Sequence, residues 1–348
     1  VIPATLCLDN AVGETRRCLL DQTGQPFRLD LERWNERADR VRADELWWGR
    51  ASKRMAGGRG WFLDLGHATG VLSVKDGDAI TEGMMLPVLV TGEAQGDKGP
   101  KFALEHAARA EPSPARPERR GPPKDPFLAG IEVLQTIEGR RAREAVDAAI
   151  EEAGQGVVQL AGGGDIAIEK TRALTAIDID TGGRSVAAKS FFELNAVAAR
   201  EIARQIALRS IGGLAVIDFV SMKAKQERSE IVGVLATAFK QRGVSTVSVN
   251  PLSSLQLCET ALVHRRRPLA DALGSGPARQ GLDALRLIES EGWSDAGRRI
   301  ICSAPASAIA WLSGPGAELG VELNRRIGAR WSLVPAGPDA RIQARTVR

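Results

Sequence analysis

Three aspartates carry the chemistry open to this chain. Asp178 and Asp180 close the apolar run Leu174–Asp180, and Asp218 stands near the end of the run Leu214–Val220. Both runs read as strands, so alternate side chains share a face: Asp178 and Asp180 lie with Leu174 and Ala176. A carboxylate at the end of a buried strand is costly unless it is hydrogen-bonded or neutralised. A divalent cation neutralises it, and Mg2+ suits carboxylate oxygens while keeping several of its waters. The plainer reading is that each Asp accepts backbone hydrogen bonds or caps a helix, and for any single Asp the two readings stand level. Two similar strand ends joined by a helix-length segment favour the metal; spacing alone does not settle the matter.

The elements around these residues follow from periodicity. Val157–Leu160, Ile166–Glu169 and Leu174–Asp180 read as strands, with turns at Gly162–Gly164 and Gly182–Gly183, and Ser185–Lys189 as a further candidate strand. Phe191–Ser210 reads as a helix with Leu194, Val197, Ala198, Ile202 and Ile206 on one face, ended by Gly212–Gly213. Arg200, Arg204 and Arg209 then point outward. Lys223–Arg242 is a second amphipathic helix and Val244–Val249 a strand. Alternating strands and helices imply a mixed sheet with helical cover.

The words GGGDIAIEKTRALTAIDIDTGGR (Gly162–Arg184) and GGLAVIDFVSM (Gly212–Met222), joined by ELNAVAAREIARQIALRSI, closely resemble the catalytic core of the ribonuclease E/G family. The resemblance implies a DNase I-like core with Asp178 and Asp218 as the Mg2+ ligands. It implies an endoribonuclease that cuts single-stranded RNA to 5′-phosphate and 3′-hydroxyl ends, the ion offsetting charge in the transition state. The chain departs from the family words in three places. Asp180 stands where Asn is usual, as a third ligand or a source of repulsion against the phosphate. Ser221 replaces an acidic residue. Two glycines stand between Thr181 and Arg184, where Arg184 is the basic residue left to serve. The alternative from another class is an RNA-binding protein with a weak or inactive nuclease core. The retention of both Asp178 and Asp218, with Glu169, Thr171 and Asn195, favours the nuclease.

The rest of the chain bears on RNA. Glu45–Leu104 holds five short apolar runs divided by glycines, the pattern of a small closed barrel. WGRASKRMAGGRGWFLDLG and GDKGPKFAL within it resemble an S1-type RNA-binding domain of the OB fold. Such barrels bind single strands through a basic groove with aromatic platforms. The candidates are Trp48, Phe62 and His67 for stacking and Lys53, Arg54, Lys98 and Lys101 for phosphates, with only one of Trp61 and Phe62 exposed. Val71 stands where related domains often carry an aromatic.

Fold class is α/β (α+β, multidomain): an N-terminal hairpin segment (1–40), an OB-fold S1-type barrel (41–106), a Pro-rich linker (107–126), a DNase I-like catalytic core (127–273) and a small C-terminal α/β domain (274–348). The hairpin joins Arg16–Leu20 to Pro26–Leu31, and Phe127–Ala153 reads as one or two helices. The linker carries six prolines. It leads almost directly to the core, so the family's sensor for a 5′-monophosphate is expected to be missing. His264-Arg265-Arg266-Arg267 reads as a solvated basic run. Gly274–Pro277 stands where the family has a zinc clamp, so a zinc-linked dimer is not expected.

Composition permits this reading without demanding it. Lys plus Arg number 47 against 43 Asp plus Glu, a net charge of +4, so local clustering must carry any nucleic-acid partner. There is no Tyr. Cys7, Cys18, Cys258 and Cys302 lie far apart, a pattern of reduced thiols and a cytoplasmic location, and no apolar run reaches transmembrane length.

Overall fold

The computed structural model describes residues 1–347 apart from 59, 76–77, 109–111, 122–124, 183–188 and 296. Arg184 and most of the candidate strand Ser185–Lys189 lie outside the described residues; Lys189 itself opens a helix.

Strands β1 (Ile2–Ala11), β2 (Glu14–Leu20) and β3 (Pro26–Arg33) form an antiparallel meander, with Asp21 capping the β2–β3 turn through the backbone N–H of Thr23 and Gln25. The barrel follows: β4 (Leu46–Arg54), β5 (Gly60–Asp64), β6 (Thr69–Ser73), β7 (Met85–Gly92) and β8 (Lys101–Leu104). Pairings β4–β5, β5–β6, β6–β8, β8–β7 and β7–β4 close the ring. Trp47, Leu63, Leu72, Leu86, Val88, Val90 and Phe102 fill it. Closure removes the free edges that five short strands would otherwise expose. The Pro-rich stretch is not wholly a free linker: β9 (Glu118–Arg119) pairs with Trp47 and Trp48 on β4.

Residues 127–153 correct the helical expectation. Ile131–Glu138 is a strand, β10, parallel to β1; the stretch holds one short 3-10 turn at Pro126–Leu128 and one α-helix, α1 (Arg140–Gly154). The β-branched residues of IEVLQTIE suit an edge strand, and Gly139 at φ 71° makes the break. The N-terminal strands thus belong to a four-stranded sheet, β10-β1-β2-β3, completed from beyond the barrel.

The next sheet positions the aspartates. It comprises β11 (Val157–Gln159), β12 (Asp165–Lys170) and β13 (Thr175–Asp180), then, after α2 (Lys189–Arg209), β14 (Gly213–Asp218), and after α3 (Lys225–Gln241), β15 (Thr246–Val249) and β16 (Leu257–Leu262), in the order 11-12-13-14-16-15. Helices α2 and α3 pack on one face through Ile166, Ile168, Ile177, Ile179, Ile217, Ile202, Ile206, Ile231, Leu235 and Phe239. The β13–β14 pair is parallel, the two strands being joined by the α2 crossover.

A short α4 (Leu269–Leu273) leads to the last unit: α5 (Pro277–Ser294), β17 (Arg299–Pro305), α6 (Ala306–Ser313), α7 (Ala317–Ile327), β18 (Trp331–Ala336) and β19 (Gln343–Val347). Its three strands run 18-17-19. Among the described residues the architecture is mixed α/β, with one closed five-stranded barrel and three further sheets. All four cysteines are buried and free. Among the described residues no helix is long and apolar enough to cross a membrane.

Candidate active site

Strand alternation divides the six-stranded sheet cleanly. On β13, Thr175, Ile177 and Ile179 are buried against the helices, while Asp178 and Asp180 are exposed on the other face. On β14, Ala215 and Ile217 are buried and Asp218 is exposed. The carboxylates therefore stand on the uncovered face; the expectation of carboxylates at buried strand ends is corrected, because only one face of the sheet carries helices. The parallel register sets Asp178 directly beside Asp218. Neighbouring strands lie about 4.8 Å apart, so the two carboxylates project side by side. Partial burial and the Asp178 charge push the Asp218 carboxyl above its usual range. The folded chain thus holds a proton there more tightly than the unfolded chain. That contribution to stability is present below the ordinary carboxylate range and is lost as pH rises through the raised value, unless a cation replaces the proton.

Asp180 stands one turn of the pleat further along β13, opposite Asp165 on β12. Its Oδ1 accepts the Gly182 N–H at 2.7 Å, which closes the turn after β13. Gly164, at φ 82°, packs beneath this turn; a Cβ there would lie 2.5 Å from the Asp180 carbonyl oxygen. One carboxylate oxygen of Asp180 is therefore engaged locally. Among the described residues no group of three or more His, Cys, Asp or Glu side chains could hold a metal ion. The donor set is the Asp178–Asp218 pair, and Mg2+ binds through one or two carboxylates with waters and substrate phosphates. Two adjacent like charges, open to solvent at the same level, fit that ion.

The loop after Asp218 is fixed from beneath. Asn195 of α2 is fully buried, donates through Nδ2 to the Val220 carbonyl at 2.8 Å and accepts the Val220 N–H at 3.1 Å. Gln256 ties the next residues, donating to Ser221 Oγ at 2.6 Å and accepting the Met222 N–H at 2.7 Å. Ser221, in place of an acidic residue, thus anchors the loop to the turn before β16. Replacing Asn195 by Ala strands two backbone groups, at about 1–3 kcal/mol for each left unsatisfied. A lowered melting temperature and a slower reaction with RNA affinity retained are expected. Wild-type melting and rate in that variant would remove Asn195 from the support of Asp218.

The barrel candidates separate by register. Lys53, Phe62, Val71 and Lys101 are successive cross-strand partners and form one row on the outer wall. Phe62 is 37% exposed, while Trp61 packs against the barrel core, which accords with only one of them being exposed. Lys53, Arg54, His67, Lys98 and Lys101 are all exposed. His67 stands 5.5 Å from the Trp47 ring. Trp48 is the exception: it is 5% exposed with the Arg120 guanidinium over its ring, a part of the wall and not a free platform.

Two basic features also differ from expectation. Arg204 is buried, bonded to Glu152, Glu201 and the Pro26 carbonyl, and joins α1 to α2. The run after His264 is not a solvated face: Arg265 pairs with Asp44 and Arg267 with Glu36, which fastens the core to the barrel side. Strand β16, whose Leu257 neighbours Asp218, is absent from the sequence reading above. Its signal was present in the alternation of Cys258, Thr260 and Leu262 with Glu259 and Ala261.

Residues 130–267 match the model of the Ribonuclease E/G family. The chain is 32% identical to Ribonuclease G of Escherichia coli (strain K12) over 149 residues, which are 42% of this chain and 30% of that protein. It is 31% identical to Ribonuclease E of the same strain over 208 residues, 55% of this chain and 19% of that protein. Ribonuclease G of Haemophilus influenzae matches at 32% over 149 residues, again 42% of this chain and 30% of that protein. The match thus spans less than a third of the length of each of these relatives.

Proposed function

We propose that the chain, whose residues 130–267 match the Ribonuclease E/G family model and which is about a third identical to its relatives there, is an endoribonuclease acting on single-stranded RNA with Mg2+. The observation that carries this reading is the Asp178–Asp218 pair, in register on the open face of the sheet. We assign the six-stranded sheet with its helices to the DNase I-like class and the barrel to the S1-type OB class. The products are RNA ends bearing 5′-phosphate and 3′-hydroxyl, formed in RNA processing or decay in the cytoplasm.

Asp178 and Asp218 would hold Mg2+ between them. When bound, the ion would supply Lewis-acid stabilisation of charge on the phosphate in the transition state. The chain's own part is positional. Asn195 and Gln256 hold the Asp218 loop, and Asp180 holds the β13 turn. The row Lys53–Phe62–Val71–Lys101 offers phosphate contacts at its ends and a stacking surface at Phe62.

The test uses an end-labelled, unstructured RNA of about twenty to thirty nucleotides, long enough for a barrel site. Internal cuts that require Mg2+, stop with EDTA and leave 5′-phosphates are expected. Substrates with 5′-hydroxyl and 5′-phosphate ends should be cut at equal rates, since the linker leads almost directly to the core. RNA bound but uncut in every arm would instead make this an RNA-binding protein with an inactive core.

A further inference from the structure

One cavity has no part in the nuclease reading. It measures about 220 Å³ and is lined by Ile168 and Thr175 of the six-stranded sheet, Ile211 beyond α2, Leu269 and Leu273 of α4, and Gln95 of the barrel. Ile168 and Thr175 are buried on the helix-covered face, so the cavity lies across the sheet from Asp178 and Asp218. Ile168, Ile211, Leu269 and Leu273 make most of its wall apolar. An apolar cavity of about 150 Å³ admits benzene, so this one has room for about ten heavy atoms.

Lys170, Thr175 and Arg209 give the same cavity a polar side. Cross-strand register pairs Lys170 with Thr175, so the two stand side by side at the end of the β12–β13 hairpin. Thr175 is 4% exposed, and its hydroxyl has no hydrogen-bond partner among the described residues. A buried hydroxyl is costly without one, which calls for a polar group inside the cavity. Lys170 is exposed and forms no ion pair among the described residues. Arg209 donates from Nε to Gln205 Oε1 and from Nη2 to the Gln155 carbonyl, both at 2.9 Å, and among the described residues it pairs with no carboxylate. Burial pushes this guanidinium below its usual range. Two cations without counterions and one unsatisfied hydroxyl thus converge on an apolar wall. That is the composition of a small-molecule site: an apolar surround, a few polar groups that fix orientation, and a position between structural units.

We propose that this cavity binds a small amphipathic organic anion, an aryl or branched-alkyl carboxylate of about ten heavy atoms. The apolar body fills the space among Ile168, Ile211, Leu269 and Leu273. The carboxylate supplies the counterion that Lys170 and Arg209 lack and accepts a hydrogen bond from the Thr175 hydroxyl. A bare phosphate would leave the apolar wall uncovered, and a neutral hydrocarbon would leave the cations and the hydroxyl unpaired; a ligand with both parts satisfies the site. Binding needs neither RNA nor Mg2+, so the site stands apart from the nuclease reading.

Saturation-transfer NMR with the full chain, free of RNA and Mg2+, tests this with 3-phenylpropanoate as the probe. A Kd of about 1 mM or below is expected. The neutral 3-phenylpropanamide should bind at least about tenfold more weakly, since it lacks the charge, and propanoate should not bind detectably, since it lacks the apolar body. Lys170→Met should weaken binding of the probe about threefold to fivefold, while Lys170→Arg keeps the wild-type value. Ala153→Phe, which fills the cavity from α1, should abolish binding; circular dichroism melts check that each variant is folded, and where Ala153→Phe is not, Lys170→Met decides. Asp178→Ala should bind as wild type does, because Asp178 lies on the other face of the sheet. A wild type that does not bind the probe overturns the proposal. Equal binding of the amide overturns the anionic class, and an unchanged Kd in Lys170→Met or in folded Ala153→Phe places the probe elsewhere and overturns the site. None of these outcomes bears on RNA cleavage.

Discussion

Replacing Asp178 or Asp218 by Ala is expected to lower Mg2+-dependent RNA cleavage by at least about 10³-fold. Stabilisation of a phosphoryl transition state by a bound ion amounts to several kcal/mol, and each 1.36 kcal/mol is a factor of ten in rate. Both side chains are exposed, so neither change empties the core or leaves a buried group without a partner. Melting curves should therefore stay close to wild type in EDTA, and RNA binding should persist. Mg2+ should raise the melting temperature of wild type, because it replaces the repulsion between the two carboxylates with attraction, and should not raise that of either variant. Cleavage at wild-type rates by either variant would remove the pair from the active site. Asp180→Asn makes the complementary measurement. Its amide oxygen can still accept the Gly182 N–H while the extra charge is gone, so unchanged or faster cleavage is expected. A large loss would make the Asp180 carboxylate a participant.

Replacing Asp9 by Ala is expected to lower the melting temperature more than any surface change. Asp9, 1% exposed, accepts from Arg143 Nε at 3.0 Å and from Arg286. Arg143 also reaches Glu289 at 2.5 Å, and Glu289 receives Arg326 at 2.7 Å. This buried network joins β1, α1 and the helices α5 and α7. Removing one partner of a buried pair costs about 3–5 kcal/mol, because here two buried guanidiniums, Arg143 and Arg286, would share a carboxylate fewer in a site closed to water. For a domain of this size that is a fall of about 6 °C or more. Differential scanning calorimetry reads it directly, and a second, earlier transition would show that the C-terminal unit separates first. A melt within about 1 °C of wild type would mean that water enters the site and the network contributes little.

The segments that carry the candidate site are short-range patterns, which makes the site legible in the sequence. The face shared by Asp178 and Asp180 follows from a two-residue period, and the helix at Lys189–Arg209 from the spacing of Ala198, Ile202 and Ile206. The five barrel strands were marked by glycines at their ends. Ile131–Glu138 reads as helical from sequence because its partner, β1, lies more than a hundred residues away and no local pattern reports that pairing. Arg204 and the Arg265–Arg267 run were read as solvated for the same reason: their counterions come from α1, from Asp44 and from Glu36.

The sequence by itself determined which residues could do chemistry: the aspartates at two strand ends, a basic and aromatic barrel, and a family resemblance dense enough to name. Tertiary structure alone decided how they meet. The parallel register of β13 and β14 set Asp178 beside Asp218, and helical cover on one face of the sheet left both open to solvent. Ring closure turned Trp48 into the wall, and the contact of Gly92 with the His264 backbone joined the barrel to the core. Each of these depends on packing between segments distant in the chain, where the energy of a contact belongs to both partners and is written in neither alone.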